Sequence, residues 1–174
     1  MTVYKPGEDT YLLLNYLEKQ DLEDKKFLDM GTGNGKIALK AAEKGAKVTA
    51  ADINSEAINY ARQKAKQKGL KIEFVESDLF ENIEDKYDII AFNPPYLPGK
   101  KGLGDEKIWR GGEKGIETTE QFLNAVNDYL RPSGSAFVIA SSRAEIDDLK
   151  EEFDLTVVDE KNIWFEQLQL LKLR

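Results

Sequence analysis

Asn93-Pro94-Pro95-Tyr96 follows directly on an apolar run, Tyr87 to Phe92. Neither proline can donate a backbone hydrogen bond, and each ring fixes φ. Asn93, standing before a proline, is held out of the helical region. The segment is therefore stiff, extended and rich in acceptors that nothing local satisfies. It is either a hard stop for a strand or a polar group held ready for a ligand. A second group of residues lies upstream, where Phe27-Leu28-Asp29-Met30 runs into Gly31-Thr32-Gly33-Asn34-Gly35. Glycines permit positive φ and let the backbone approach a ligand beside the free N–H groups of a helix start. Asp52 closes the next apolar run, 21 residues after Gly31, where an acid can hold both hydroxyls of a ribose. Asp78, in Ser77-Asp78-Leu79-Phe80, closes the third.

The glycine loop departs from the dinucleotide fingerprint. G-x-G-x-x-G would put its third glycine at position 36, which is Lys36; the third glycine is Gly35. A nucleoside ligand without a pyrophosphate fits this loop better than a phosphate cradle. Taken singly, each feature has a plain reading: a tight strand–helix turn, capped or solvated aspartates, a proline-terminated strand. Three such elements at the carboxyl ends of three successive strands mark the crevice where open α/β sheets bind ligands.

The elements that must position these residues alternate. The spacing of Leu13, Leu14 and Leu17 predicts a helix from about Asp9 to Lys19. Strands are expected at Lys26–Met30, Lys47–Ile53, Lys71–Glu76, Tyr87–Phe92 and Ser135–Ala140. Helices are expected at about Lys36 to Glu43, Ser55 to Lys68 (buried stripe Ile58, Ala61, Ala65), Glu117–Leu130 (Phe122, Val126, Tyr129) and Arg143–Phe153. Arg131-Pro132-Ser133-Gly134 reads as a chain break. The end, from Leu155, contains two β-rich runs separated by Asp159 to Asn162 and reads as an antiparallel hairpin. Alternating βα units give a doubly wound parallel sheet, here closed by that hairpin.

With 174 residues and no dividing linker, a single domain spanning 1–174 is expected. Composition is that of a soluble protein, 41% hydrophobic and 33% charged. No apolar run is long enough for a membrane span and the start does not read as a signal peptide, so a cytoplasmic protein is expected. Cysteine and histidine are both absent, which removes disulfides, thiol nucleophiles, Ser-His-Asp triads and zinc sites built on Cys or His. Chemistry must run on amides, carboxylates, hydroxyls and lysines, or on a cofactor with its own reactivity. The net charge of −7 argues against gripping a nucleic-acid backbone over a wide face.

From DMGTGNG through AADI, SDLF and NPPY to the closing hairpin, essentially the whole chain resembles the class I S-adenosylmethionine-dependent methyltransferases. That resemblance implies a Rossmann-like, seven-stranded, mostly parallel sheet with helices on both faces and an antiparallel seventh strand. NPPY narrows it to enzymes that methylate a planar nitrogen. The opening VYKPGEDTYLLL is similar to the short archaeal and eukaryotic HemK/PrmC-like protein-glutamine methyltransferases; bacterial relatives carry an additional N-terminal helical domain, for which this chain is expected to have no room. The family methylates the glutamine amide of the Gly-Gly-Gln motif in class I release factors. By resemblance, Asp29 and Gly31, Thr32, Gly33, Asn34 and Gly35 shape the methionine end of the S-adenosylmethionine site. Asp52, with Ile53 beside it, takes the ribose; Asp78, with Leu79, takes the adenine; Thr10 closes over the cofactor. Asn93 borders the cofactor and binds the substrate amide, with Pro94 and Tyr96 as its catalytic neighbours. The implied partners are a release factor as substrate and a small zinc-binding activator protein.

The asparagine suits that chemistry. An amide NH₂ is a poor nucleophile with two donors. The Asn93 side-chain oxygen and the Pro94 carbonyl can accept both and aim the nitrogen lone pair, so the protein mainly positions reactants. Tyr96 can lie against the flat face of the substrate group. No strong base is needed before attack, in keeping with a chain lacking histidine.

The loop 97–115 carries Lys100, Lys101, Lys107, Arg110 and Lys114 around Trp109; it could meet an acidic or RNA-like partner, or be a solvated loop anchored by Trp109. Ile72 and Phe74 belong to an expected edge strand, which invites pairing and is where an activator would sit. An adenine-N6 methyltransferase acting on DNA or RNA remains open, since NPPY would accept an exocyclic amine equally well. A protein lysine methyltransferase fits less well, because a neutral asparagine does little to deprotonate an ammonium. A non-catalytic cofactor-binding subunit and a nicotinamide-dependent oxidoreductase are the remaining alternatives, disfavoured by the intact NPPY and by Lys36 respectively.

Overall fold

The structure, a computed structural model, describes residues 6–96, 114–164 and 166–173. The chain runs through helix α1 (Glu8–Glu18), strand β1 (Lys26–Met30), α2 (Lys36–Glu43), β2 (Lys47–Asp52) and α3 (Ser55–Gln67). Then come β3 (Ile72–Glu76), β4 (Tyr87–Phe92), α4 (Glu117–Val126), β5 (Leu130–Ser141), α5 (Asp147–Glu152), β6 (Leu155–Ile163) and β7 (Glu166–Leu173). The strands form one sheet in the order β3-β2-β1-β4-β5-β7-β6. β3, β2, β1, β4 and β5 pair in parallel, and β7 runs antiparallel to both β5 and β6. This is the expected seven-stranded architecture with its C-terminal hairpin.

Strand alternation sorts the core onto two faces. Phe27, Val48, Ala50, Phe137, Ile139, Leu168 and Leu170 face α1 and α2, where Leu13 and Leu17 are fully buried. Leu28, Met30, Ile90, Phe92 and Val138 face the side covered by α4, through Phe122, Leu123 and Val126. α3 is capped by Asn54, whose side chain accepts from Glu56 N–H, and it buries the expected stripe Ile58, Ala61 and Ala65. Chain order reverses between β1 and β4, so the switch point of the sheet lies where Met30 and Phe92 pair side by side. Open α/β sheets bind ligands at that point.

Several boundaries differ from the sequence reading. Asp159 to Asn162 do not form the hairpin turn. They lie inside β6, paired with Leu170 to Gln167 of β7, and the chain reverses after Ile163, at Trp164. β6 is a sheet edge, and polar side chains that resemble a turn in sequence are what a solvated edge strand carries. Arg131-Pro132-Ser133-Gly134 does not break the chain either. β5 starts at Leu130, opposite Tyr87, and resumes pairing at Ser135, opposite Ile89, so the segment bulges out of a continuing strand with Ser133 at φ +67°. α4 stops at Val126, and Tyr129 falls in a 3₁₀ turn (Asn127–Tyr129), where its ring stacks on Phe80 at 4.3 Å. α5 begins only at Asp147, because the Ser141 carbonyl and hydroxyl accept from Ala144 and Arg143 N–H and hold that stretch in a turn. β2 ends at Asp52, leaving Ile53 beyond the strand.

Candidate active site

Everything the sequence singled out sits at one end of the sheet. The register places Met30 between Ala51 and Phe92, so the residues that follow, Gly31, Asp52 and Asn93, leave neighbouring strands at the same level. Asp52 pairs with Glu76, and Ser77 N–H donates to the Asp52 carbonyl at 3.0 Å, which brings the Asp78 turn to the same end.

The glycine loop is built around two carboxylates. Asp29 Oδ2 accepts from Thr32 Oγ1 at 2.6 Å and from Ala38 N–H, inside α2, at 3.0 Å. Asp52 Oδ2 accepts from Gly33 N–H at 2.8 Å, and its Oδ1 from Asn54 N–H at 2.9 Å. Thr32 N–H reaches the Ala51 carbonyl at 2.8 Å, and the side chain of buried Asn34 accepts from Lys36 N–H at the start of α2. Gly31, Gly33 and Gly35 all have positive φ, at +62°, +53° and +79°. At Gly35 the requirement is also spatial: a Cβ there would stand 2.7 Å from Ala61 Cβ of α3. Gly35→Ala is expected to cost about 2–3 kcal/mol from left-handed strain and overpacking together. At this chain length that is a melting-temperature drop of roughly 5–10 °C by calorimetry. Gly69→Ala is the control, because its φ is +67° with nothing within 4 Å, so only the strain of about 1 kcal/mol applies. Equal losses at the two sites would refute the packing role of Gly35.

Burial raises the pKa of Asp29 to about 7, opposed by its Thr32 and Ala38 hydrogen bonds and reinforced by the nearby Asp52 charge. Asp52 is raised too, chiefly by burial, against the bonds from Asn54 and Gly33. Carboxylates shifted in this way by burial are frequent at functional sites. Ile53, next along, is 65% exposed, an apolar side chain left open beside the crevice. Asp78 is exposed and Leu79, at φ +45°, is half-buried; the turn is held by Ser77 Oγ, which donates to the Leu79 carbonyl at 2.7 Å and accepts from Asn82 N–H.

Across the switch point, Pro94 is buried and Asn93 is pinned by its amide nitrogen, which donates to Asp9 Oδ2 at 3.2 Å. Tyr96 donates its hydroxyl to the same oxygen at 3.1 Å, while its ring packs partly against the cluster beneath α1. Thr10 is buried beside it, its N–H and hydroxyl directed to Asp9 Oδ1. Asp9 is the site residue that sequence reading missed. It looks like an ordinary first-turn helix acid, yet it is 4% exposed. One signal was available: Asp9, Leu13 and Leu17 share a helix face at four-residue spacing, so the acid continues a buried stripe.

Among the described residues, two buried side-chain polar atoms lack a hydrogen-bond partner, Asp29 Oδ1 and Asn93 Oδ1. Buried acceptors are nearly always satisfied. Both orphans lie at the switch-point end of the sheet, where each is available to a ligand. The expected basic loop lies mostly outside the described residues, with Lys100, Lys101, Lys107, Trp109 and Arg110. Lys114 is described, and it pairs with Glu145 at 3.2 Å.

A doubly wound sheet of this strand order, with a glycine loop held by two carboxylates and a proline-stiffened amide at its switch point, is that of the class I methyltransferases. The sequence matches the methyltransferase small domain family over residues 5–166, and the chain belongs to that family. It is 41% identical over 148 residues to a putative protein N5-glutamine methyltransferase of Methanocaldococcus jannaschii, covering 80% of this chain and 73% of that one. It is 34% identical to the release factor glutamine methyltransferase of Streptococcus pneumoniae over 76% of this chain, which spans only 52% of that longer protein. The structure superposes on that of the E. cuniculi Mtq2–Trm112 complex, responsible for methylating the eRF1 termination factor, with a TM-score of 0.79. Sequence identity there is 27%, and the match covers 98% of this chain and 97% of that one. The methyl donor of this class is S-adenosylmethionine, and the residues fit it: an unpaired buried carboxylate oxygen for a cationic end, and a glycine turn too close-packed for side chains.

Proposed function

We propose that the chain methylates the side-chain amide nitrogen of the glutamine in the Gly-Gly-Gln motif of a class I peptide chain release factor. The observation that carries this reading is Asn93 Oδ1, a buried, unpaired acceptor on a strand end that Pro94 and Pro95 keep from relaxing. S-adenosylmethionine, when bound, supplies an electrophilic methyl group. Asp29 holds the methionine end through Oδ1, Asp52 accepts from the ribose hydroxyls, and Ile53, Asp78 and Leu79 border the adenine. Asn93 Oδ1 and the Pro94 carbonyl take the two N–H groups of the substrate amide, which fixes its plane and turns its nitrogen lone pair toward the donor. Tyr96 flanks that plane. Positioning of this kind is what the residues contribute.

The names of the two relatives and the structural neighbour support glutamine over adenine, as does the net charge of −7. Among the described residues no helix is long and apolar enough to cross a membrane, and a translation-factor substrate would place the enzyme in the cytoplasm. Among the described residues β3 is an edge of the sheet, with Ile72, Phe74 and Val75 only half-buried. That edge would take an activator protein, a reading supported by the complex that the structural neighbour forms with Trm112; that the activator is small and binds zinc is what the family resemblance implies.

The test is transfer of tritiated methyl groups to a class I release factor, to its version with Gln→Ala in Gly-Gly-Gln, and to adenine-containing DNA, with and without the co-expressed activator. Label on the native release factor alone is expected. Label on DNA, or none on the release factor even with the partner present, would overturn the proposal.

A further inference from the structure

The orientation of Asn93 decides whether it accepts from a substrate amide or repels it, and the side chain has two nearly isosteric ends. We infer that Asp9 is a positioning residue that selects the productive end. This rests on the methylation reading above, because only a substrate NH₂ needs an oxygen there. Oδ2 of Asp9 receives the Asn93 amide at 3.2 Å and the Tyr96 hydroxyl at 3.1 Å, and Oδ1 receives Thr10 N–H at 2.6 Å. Turning the Asn93 amide over would set its oxygen against a carboxylate oxygen at that same distance, exchanging a charge-assisted hydrogen bond for a repulsion. Oδ1 of Asn93 is therefore forced away from Asp9, and it is the atom found buried and unpaired. The backbone alone cannot do this, because Pro94 and Pro95 restrict φ and not the side-chain amide torsion. Asp9 also joins α1, which carries Thr10, to the end of β4, 84 residues away in sequence, so the helix beside the cofactor site and the substrate-binding asparagine share one anchor.

The consequence separates orientation from mere support. In Asp9→Asn the short bond from Thr10 N–H keeps the new oxygen on that side, so the new NH₂ faces Asn93. Asn93 must then turn its own oxygen inward and present NH₂ to the substrate. Asp9→Ala leaves the amide unassigned and inverts nothing. The expected order of kcat is wild type, then Asp9→Ala, then Asp9→Asn. The isosteric variant is down about a thousandfold, the scale of losing the Asn93 acceptor altogether, and cofactor Kd stays within about threefold. In an Asn93→Ala background, Asp9→Asn is expected to cost nothing more, the non-additivity of residues acting as one unit. A purely structural role predicts that alanine is the worse substitution and that activity follows the melting temperature; either result overturns the inference.

The measurement combines release-factor methylation by the three enzymes, cofactor titration, and ¹⁵N-edited spectra of the Asn93 side chain. The spectra keep the two readings apart. Should wild type fail to methylate the release factor, the substrate proposal falls, while the Asn93 NH₂ resonances still decide on Asp9. They are expected to be shifted and protected in wild type and displaced in Asp9→Asn. Unchanged resonances would remove Asp9 from the role.

Discussion

Asn93→Ala is expected to lower kcat for methyl transfer by about a thousandfold, the scale on which loss of one preorganised polar group and of reactant alignment is felt. The fold should survive with a modest loss of stability. Asn93 Oδ1 has no hydrogen-bond partner among the described residues, and Asp9 keeps its bonds from Thr10 and Tyr96 when the amide is removed. Removing an unpaired buried acceptor is favourable, but the charge-assisted bond from Asn93 to Asp9 is lost with it, so the melting temperature is expected to fall by a few degrees only. Asn93→Asp is worse on both counts, since it sets a second carboxylate against Asp9. Single-turnover transfer with saturating cofactor, alongside a thermal melt of each variant, reads both quantities. A loss of kcat below about tenfold, or one that parallels unfolding, would mean that the substrate amide is aligned by something else.

Much of this site was legible because its residues are punctuation in the chain. Gly31 to Gly35 interrupt a strand-to-helix pattern, Pro94 and Pro95 terminate an apolar run, and Asp52 ends a strand whose preceding four positions, Val48 to Ala51, are buried. Such breaks are local, and local physics explains them. Asp9 is different in kind. Nothing near it in sequence requires burial; it is buried because a segment 84 residues later folds against it, and only its place on the Leu13–Leu17 face hinted at that. The misplaced hairpin turn has the same origin. Asp159 to Asn162 carry turn chemistry, but pairing with Leu168 and Leu170, both fully buried, keeps them extended. Tertiary pairing outweighed local propensity there. At Arg131 to Gly134 the sequence did announce an irregularity, and the error was to read a bulge as an end.

Asp29→Asn is expected to weaken S-adenosylmethionine binding about a hundredfold, on the scale of losing one partner of a buried charge pair, while making the free protein more stable at alkaline pH. Both effects follow from one atom. An asparagine at 29 keeps an oxygen for Thr32 and Ala38 but replaces the unpaired Oδ1 with an NH₂, a donor facing the cationic end that Asp29 is proposed to hold. In wild type the folded-state pKa of Asp29, about 7, lies above the ordinary 3.8. The protonated carboxyl is the form that the empty fold favours. This group's contribution to stability is therefore complete below about pH 4 and is lost as pH rises through 7. Cofactor binding needs the opposite form, so affinity rises with pH up to about 7 and then levels, a change of about twentyfold between pH 5.5 and 7.5. Asp29→Asn should flatten both profiles, and thermal melts with calorimetric titrations across that range measure them. If the variant binds as tightly as wild type at pH 7.5, or if wild-type affinity is independent of pH, Asp29 does not carry the cationic end. If affinity and stability move in opposite directions with pH, the desolvated carboxylate is held in the fold for its ligand, at a cost to the empty protein that the cofactor removes on binding.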